Sequence, residues 1–173
     1  MGNGESELVQ RTASGDQEAF TLLVQAHFNS ISNYVMRMMA NHPEADDLVQ
    51  ETFTRLWTRA ESFNPEKAKL TTWLHQIAYN LCIDQLRKDP RFTHELTEPT
   101  DDTGPDHHLS NNESRQQIHQ AMMQLPETQR SAIIMNYYQG LSNREVGDIL
   151  DLSVSAVESL LARGRKKLRD QLE

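Results

Sequence analysis

Between Leu141 and Leu168 the chain reads LSNREVGDILDLSVSAVESLLARGRKKL, which places two helix starts close together and a cationic run behind them. Ser142 and Glu145 have the S-x-x-E spacing of a capping box, in which each side chain satisfies a backbone N–H of the other, and Leu141 with Val146 supplies the flanking hydrophobic staple. A short helix is expected from Asn143, with Val146, Ile149 and Leu150 as its apolar stripe and with Gly147 leaving room for a second backbone to approach. Asp151 falls where the chain must turn, and aspartate tolerates a left-handed conformation better than most residues. Ser153 then caps a second helix with Leu152 and Val157 as staple and Val157, Leu160 and Leu161 as its buried face. Two amphipathic helices joined by about four residues predict a helix-turn-helix whose second helix enters a major groove. Past it, Arg163, Arg165, Lys166, Lys167 and Arg169 put five positive charges on seven residues, and phosphates are their natural partner.

A net charge of -8 over 173 residues argues against a simple DNA binder, so the distribution of charge matters more than its sum. Residues 1–90 carry 8 basic and 12 acidic groups, residues 91–112 carry 1 and 5, and residues 113–173 carry 8 and 8. The deficit sits in the front and middle, while the C-terminal part is neutral but polarised toward a cationic end. Such a chain should bind DNA weakly alone and better inside a larger complex. A mean hydropathy of -0.68 suits two small helical cores better than one large one. No stretch approaches the roughly 20 apolar residues of a membrane span, and MGNGESELVQ lacks the basic start and apolar core of a signal peptide, so a cytoplasmic location without membrane insertion is expected. A lone cysteine, Cys82, sits in an apolar helical run as a buried structural thiol.

Helical periodicity organises the front of the chain. Residues Glu5 to Thr12 form a short helix broken at Ser14-Gly15, and a longer one from Asp16 carries Phe20, Leu23, Val24, Ile31, Tyr34, Val35 and Met38. Asn41-His42-Pro43 stops it and starts the next, because proline suits the first helical position and Glu44, Asp46 and Asp47 suit a helix N-terminus. That helix buries Leu48, Val49, Thr52, Phe53, Leu56 and Trp57 and shows Asp47, Gln50, Glu51 and Thr54 on its other face. After a polar loop, Thr71 or Thr72 is expected to cap a helix that ends near Asp89-Pro90. Residues 91–112, rich in proline and acids, read as a flexible acidic linker between a domain of residues 1–90 and a second domain of residues 113–173. The linker's His107-His108 pair lacks further ligands and reads as polar filler. The fold class is therefore all-α, two small helical domains on an acidic tether, the second containing the helix-turn-helix.

Three strings, ADDLVQETFTRLW, TTWLHQIAYNLCIDQLRK and LSNREVGDILDLSVSAVESLLARGRKKL, occur in this order with the acidic linker between the last two, and together they closely resemble the extracytoplasmic-function (ECF) sigma factors of bacterial RNA polymerase. The resemblance implies a specificity subunit with no catalytic residues, metal or cofactor, monomeric when free. Its partners would be core RNA polymerase, promoter DNA and an anti-sigma factor. It assigns Asp47, Gln50 and Glu51 to the polymerase, where carboxylates and an amide on one face can accept hydrogen bonds from arginines. It assigns the segment around Lys67, Lys69, Thr72, Trp73, Tyr79, Asn80, Arg87 and Lys88 to the minus-10 element, with Asn80 reading a flipped base. Cations there, Arg91 included, interleave with aromatics as in a single-strand platform. It assigns Ser155, Ser159, Arg163, Arg165 and Lys166 to the minus-35 element. Glu158 stands where many relatives carry a cation, and it either accepts from a cytosine amino group or serves as a helix-side charge partner.

Two other classes compete. A helix-turn-helix regulator with an N-terminal sensing or dimerising domain would bind an operator as a dimer without polymerase. An enzyme would need a nucleophile-base pair, a metal spacing or a phosphate loop, and the scattered histidines and single cysteine supply none.

Overall fold

A computed structural model describes residues 2–40, 42–90 and 111–173, apart from the side chains of residues 2, 3 and 111. Among the described residues the regular structure is entirely helical: α1 (Gly2–Ala13), α2 (Gln17–Met39), α3 (Ala45–Arg59), a 3-10 turn (Ala60–Ser62), α4 (Leu70–Lys88), α5 (Asn111–Met123), α6 (Glu127–Ile133) running into a π-helical turn (Ile134–Tyr138), α7 (Asn143–Leu150) and α8 (Val154–Leu172). The linker with its His107-His108 pair, and Arg91, lie outside the described residues.

In the N-terminal half, α2, α3 and α4 pack against one another and α1 closes over α2 and α3. Gly15 at φ 91° makes the break between α1 and α2, and Asp16 caps α2 by accepting from the backbone N–H groups of Glu18 and Ala19. His27 on α2 reaches back to Glu5 on α1. Ala40, left-handed at φ 45°, ends α2. His42 then locks the restart: its Nδ1 accepts from the Glu44 N–H at 3.0 Å, so the proton is on Nε2, which donates to Asp89 Oδ2 at 2.7 Å. One imidazole thus ties the α2–α3 turn to the end of α4.

The start of α4 differs from expectation. Its N-cap is Lys69, which makes no side-chain capping bond, while Thr72 is buried at 5% exposure. Leu70 is itself buried at the first helical position, and seating it fixes where the helix begins, ahead of either threonine. Helix α6 is not regular to its end. It widens after Ile133, with the Gln139 N–H reaching back five residues to the Ile134 carbonyl at 3.0 Å and the Leu141 N–H bonding the Met135 carbonyl at 3.0 Å. Gly140, at φ 69°, then turns the chain into α7.

The helix-turn-helix follows its sequence closely. Ser142 Oγ accepts from the Glu145 N–H at 3.1 Å and Glu145 accepts in return from the Ser142 N–H at 2.8 Å. Asp151 is left-handed at φ 57°, and Ser153 Oγ accepts from the Ala156 N–H. At Gly147 an added Cβ would stand 2.6 Å from the Leu152 carbonyl oxygen, so the crossing needs a residue without a side chain. Gly164, unremarked in the sequence, is a second close approach, here to the Ile133 side chain of α6.

The two halves do not keep separate cores. A single buried cluster runs from Leu23, Tyr34, Leu74 and Cys82 in the first half to Ile133, Met135, Val146 and Val157 in the second. Helix α4 packs on α7, and α2 packs on α6 and the π turn. Each half has apolar surface left over after its own helices are packed, and the other half covers it.

Candidate nucleic-acid and partner interfaces

Helix α8 presents its sequence-derived residues without obstruction. Val157, Leu161 and Gly164 are its buried seam, and Ser155, Glu158, Ser159, Arg163, Arg165 and Lys166 are all exposed. At 3.6 residues per turn, Ser155, Ser159, Arg163 and Lys166 follow one line, with Glu158 and Arg165 beside it. Ser159 Oγ donates to the Ser155 carbonyl at 3.1 Å, leaving its lone pairs free to accept. None of these cations, nor Glu158, has an ion pair within 4.0 Å among the described residues. The charge-partner alternative for Glu158 therefore finds no partner here.

The eight residues on and around α4 divide into two sets. Trp73, Asn80 and Arg87 recur every seventh position and so share a face about 21 Å long; Asn80 and Arg87 are exposed, and Trp73 is half-buried against Phe63 with ring centroids 5.4 Å apart. Lys88 is exposed at the helix end. Thr72 and Tyr79, also seven apart, turn toward the C-terminal half. Tyr79 is half-buried, and burial raises its hydroxyl pKa against the opposing effects of Arg87 and a Thr128 hydrogen bond. Lys67, Lys69 and Thr72 share a cleft of about 480 Å³ with Ser142, Arg144, Glu145 and Asp148 of the helix-turn-helix, and Lys69 Nζ stands 3.2 Å from Glu145 Oε1.

On α3, Asp47 and Gln50 are exposed along a groove of about 490 Å³ that also includes Asp46, Phe20, Phe28 and Phe53. Glu51 points to the next face and pairs with Arg55 Nε at 3.1 Å. Sequence reasoning did not single out Asp46 or Phe28, which is 47% exposed and stacked on Phe53 with centroids 6.2 Å apart. Phe28 sits at the edge of the apolar stripe of α2, four residues after Val24 and seven before Val35, and a large exposed aromatic beside carboxylates marks a contact surface.

Cys82 is fully buried, and its thiol is pushed up to about 12 by burial, with Arg130 opposing. It is no thiolate at neutral pH. Among the described residues no group of three or more His, Cys, Asp or Glu side chains could hold a metal ion, and no helix is long and apolar enough to cross a membrane.

One unobstructed cationic recognition helix, a separate aromatic and cationic face, and an acidic apolar groove define a bipartite DNA-reading protein with a docking surface for a larger partner. Comparison with known proteins agrees. Residues 23–92 match the Sigma-70 region 2 family model and residues 115–168 match Sigma-70 region 4. The chain is 34% identical to the ECF RNA polymerase sigma factor SigW of Bacillus subtilis, over 95% of this chain and 94% of that one. It is 32% identical to the ECF sigma factor SigE of Mycolicibacterium smegmatis, over 92% of this chain and 65% of that one. Among solved structures, CnrH in complex with the cytosolic domain of CnrY superposes with a TM-score of 0.76 at 25% identity, covering 98% of this chain and 97% of that one. The chain belongs to the ECF sigma factors, which direct RNA polymerase to promoters and are not enzymes.

Proposed function

We propose that residues 1–90 bind core RNA polymerase and the minus-10 element, that residues 113–173 bind the minus-35 element, and that residues 91–112 link them. The protein acts in the cytoplasm, as a monomer until it meets the polymerase. Asp47 and Gln50, joined by Asp46 and Phe28, form the polymerase contact, with Glu51 at its edge. A groove with apolar walls and carboxylate rims suits a partner helix bearing arginines around an apolar stripe. Trp73, Asn80, Arg87 and Lys88 hold the opened minus-10 strand, with Lys67, Lys69, Thr72 and Tyr79 at the near end. Ser155, Ser159, Arg163, Arg165 and Lys166 contact the minus-35 duplex, and Glu158 reads a base there. An anti-sigma factor restrains the free protein, as membership of the family implies.

The observation that carries this reading is the unpaired row Ser155, Ser159, Arg163 and Lys166 on a helix anchored by the close crossing at Gly147. Purified core polymerase supplies the test. Promoter-dependent initiation is expected only when this chain is added, and Asp47→Ala and Glu51→Ala should each weaken its binding to core enzyme. Tight operator capture by a dimer of the isolated chain, with no effect on initiation, would replace this reading with that of a helix-turn-helix regulator.

A further inference from the structure

Two apolar side chains, Leu152 and Val154, are 36% and 43% exposed on either side of Ser153, the cap of α8. Leu152 has a local reason to be there. It precedes the cap, its N–H donates to the Gly147 carbonyl at 2.9 Å, and an apolar residue in that place is the usual first half of a hydrophobic staple with Val157. Val154 has none. It lies outside the buried cluster and occupies the first position of α8, where proline or an acid suits a helix better and a β-branched residue lowers helix propensity. The fold gains nothing from an isopropyl group held in water at that point.

The side chain is nonetheless held firmly. Asp151 turns the chain at φ 57°, Ser153 Oγ accepts from the Ala156 N–H at 3.1 Å, and the Ser153 carbonyl accepts from the Val157 N–H at 3.0 Å. In a helix a valine keeps one χ1 rotamer about nine times in ten, so its methyl groups are in place before any contact is made. Val154, Glu158 and Arg165, at intervals of four and seven residues, form one row along α8, beside the row of Ser155, Ser159, Arg163 and Lys166. Val154 leads that row, at the end of a recognition helix that reaches base edges.

We propose that Val154 is a specificity-determining residue of the minus-35 contact and that it reads the 5-methyl group of a thymine. This rests on the assignment of α8 to the minus-35 duplex. An isopropyl group neither donates nor accepts a hydrogen bond, so phosphates and the polar edges of guanine, adenine and cytosine offer it no partner. The thymine methyl is the one apolar group that a base pair displays in the major groove. Glu158 stands one turn further along the same row, about 6 Å along the helix axis, and can only accept, so the row pairs one apolar reader with one acceptor.

The test uses the full-length chain with purified core polymerase, on a promoter that this holoenzyme selects from a library randomised over the minus-35 element. Each thymine of the selected element, on either strand, is replaced in turn by deoxyuridine, which keeps every hydrogen-bonding group and lacks only the methyl. One replacement should lower initiation about three- to fivefold, the effect of leaving one methyl group in water. Val154→Ala, which improves helix propensity and disturbs no buried group, should lose the same factor on the thymine template and be indifferent to deoxyuridine at that position. A selected element with no A·T pair overturns the proposal, as does initiation indifferent to every methyl, or a deoxyuridine loss that persists undiminished in Val154→Ala. Each of these leaves the promoter reading in place. Absence of initiation on every template overturns the promoter reading, and this proposal with it.

Discussion

Helices α4 and α8 are each 19 residues long and each is assigned to DNA, yet they sit in opposite environments. Helix α4 buries Leu70, Thr72, Leu74, His75, Ile77, Ala78, Leu81, Cys82, Ile83 and Leu86 and is walled on two sides, by α2 and α3 and by α7. Helix α8 buries only Val157, Leu161 and Gly164. A helix with one narrow seam can offer most of its circumference to a groove, whereas a central helix can offer only the stripe its neighbours leave. On the assignments proposed above, the face for the minus-35 element is therefore exposed and the face for the minus-10 element is partly covered.

The largest effect that would break this contrast comes from the crossing that holds α8 in place. Gly147→Ala would drive a Cβ into the Leu152 carbonyl oxygen, which is backbone and cannot swing away. It should cost about 1–3 kcal/mol of stability by thermal or denaturant unfolding. Gly164→Ala meets only the end of the Ile133 side chain. Its clash is relieved by a rotamer change and offset by a helix-propensity gain of about 1 kcal/mol, leaving it near neutral. Equal losses for the two variants would show that the crossing is not special.

Next comes Arg163→Ala, which removes one exposed cation from the centre of the α8 line. Initiation from a promoter with an intact minus-35 element should fall about tenfold, with little change where that element is absent. An equal loss on both promoters would mean that the residue does not act through minus-35.

A smaller effect is expected from pH. His75 lies on α4 at the seam, edge-on to Tyr34, with Nδ1–H donating to the Thr71 carbonyl and Nε2 near the Gln139 side chain without a regular hydrogen bond. Burial lowers its pKa below the ordinary 6.5; the Thr71 and Gln139 contacts and Glu145 pull upward, and His27 pulls downward. The folded chain thus binds this proton less readily than the unfolded one, so its contribution to stability is present above 6.5 and is lost as pH falls below it. Thermal unfolding in mild acid should show a loss of stability that His75→Gln diminishes. The smallest effect is a change of ranking: Glu158→Lys should alter which base is preferred in minus-35 variants while overall binding rises slightly. An unchanged ranking would remove Glu158 from base reading.

Much of this was legible in the chain because it depends on neighbours a few residues apart. The capping box at Ser142 and Glu145, the left-handed Asp151, the Ser153 cap and the close approach at Gly147 are each set by backbone geometry within one or two turns. The exposed face of α8 follows from the same period. The start of α4 was misjudged because a threonine's intrinsic capping preference gave way to the burial of Leu70 and Thr72. The groove on α3 was only partly seen, since Phe28 and Asp46 become neighbours through the packing of α2 on α3, at a separation no periodicity encodes.

Local sequence determined the helices, their ends and which residues each could show to DNA, because capping bonds, turn conformations and amphipathic spacing are short-range. Tertiary structure alone decided that Tyr34 would meet Ser131, that Glu145 would stand on Lys69, and that two expected cores would be one. Those contacts join positions 97 and 76 residues apart. They exist because each half has apolar surface that its own helices leave uncovered, and that remainder is known only after both halves have folded.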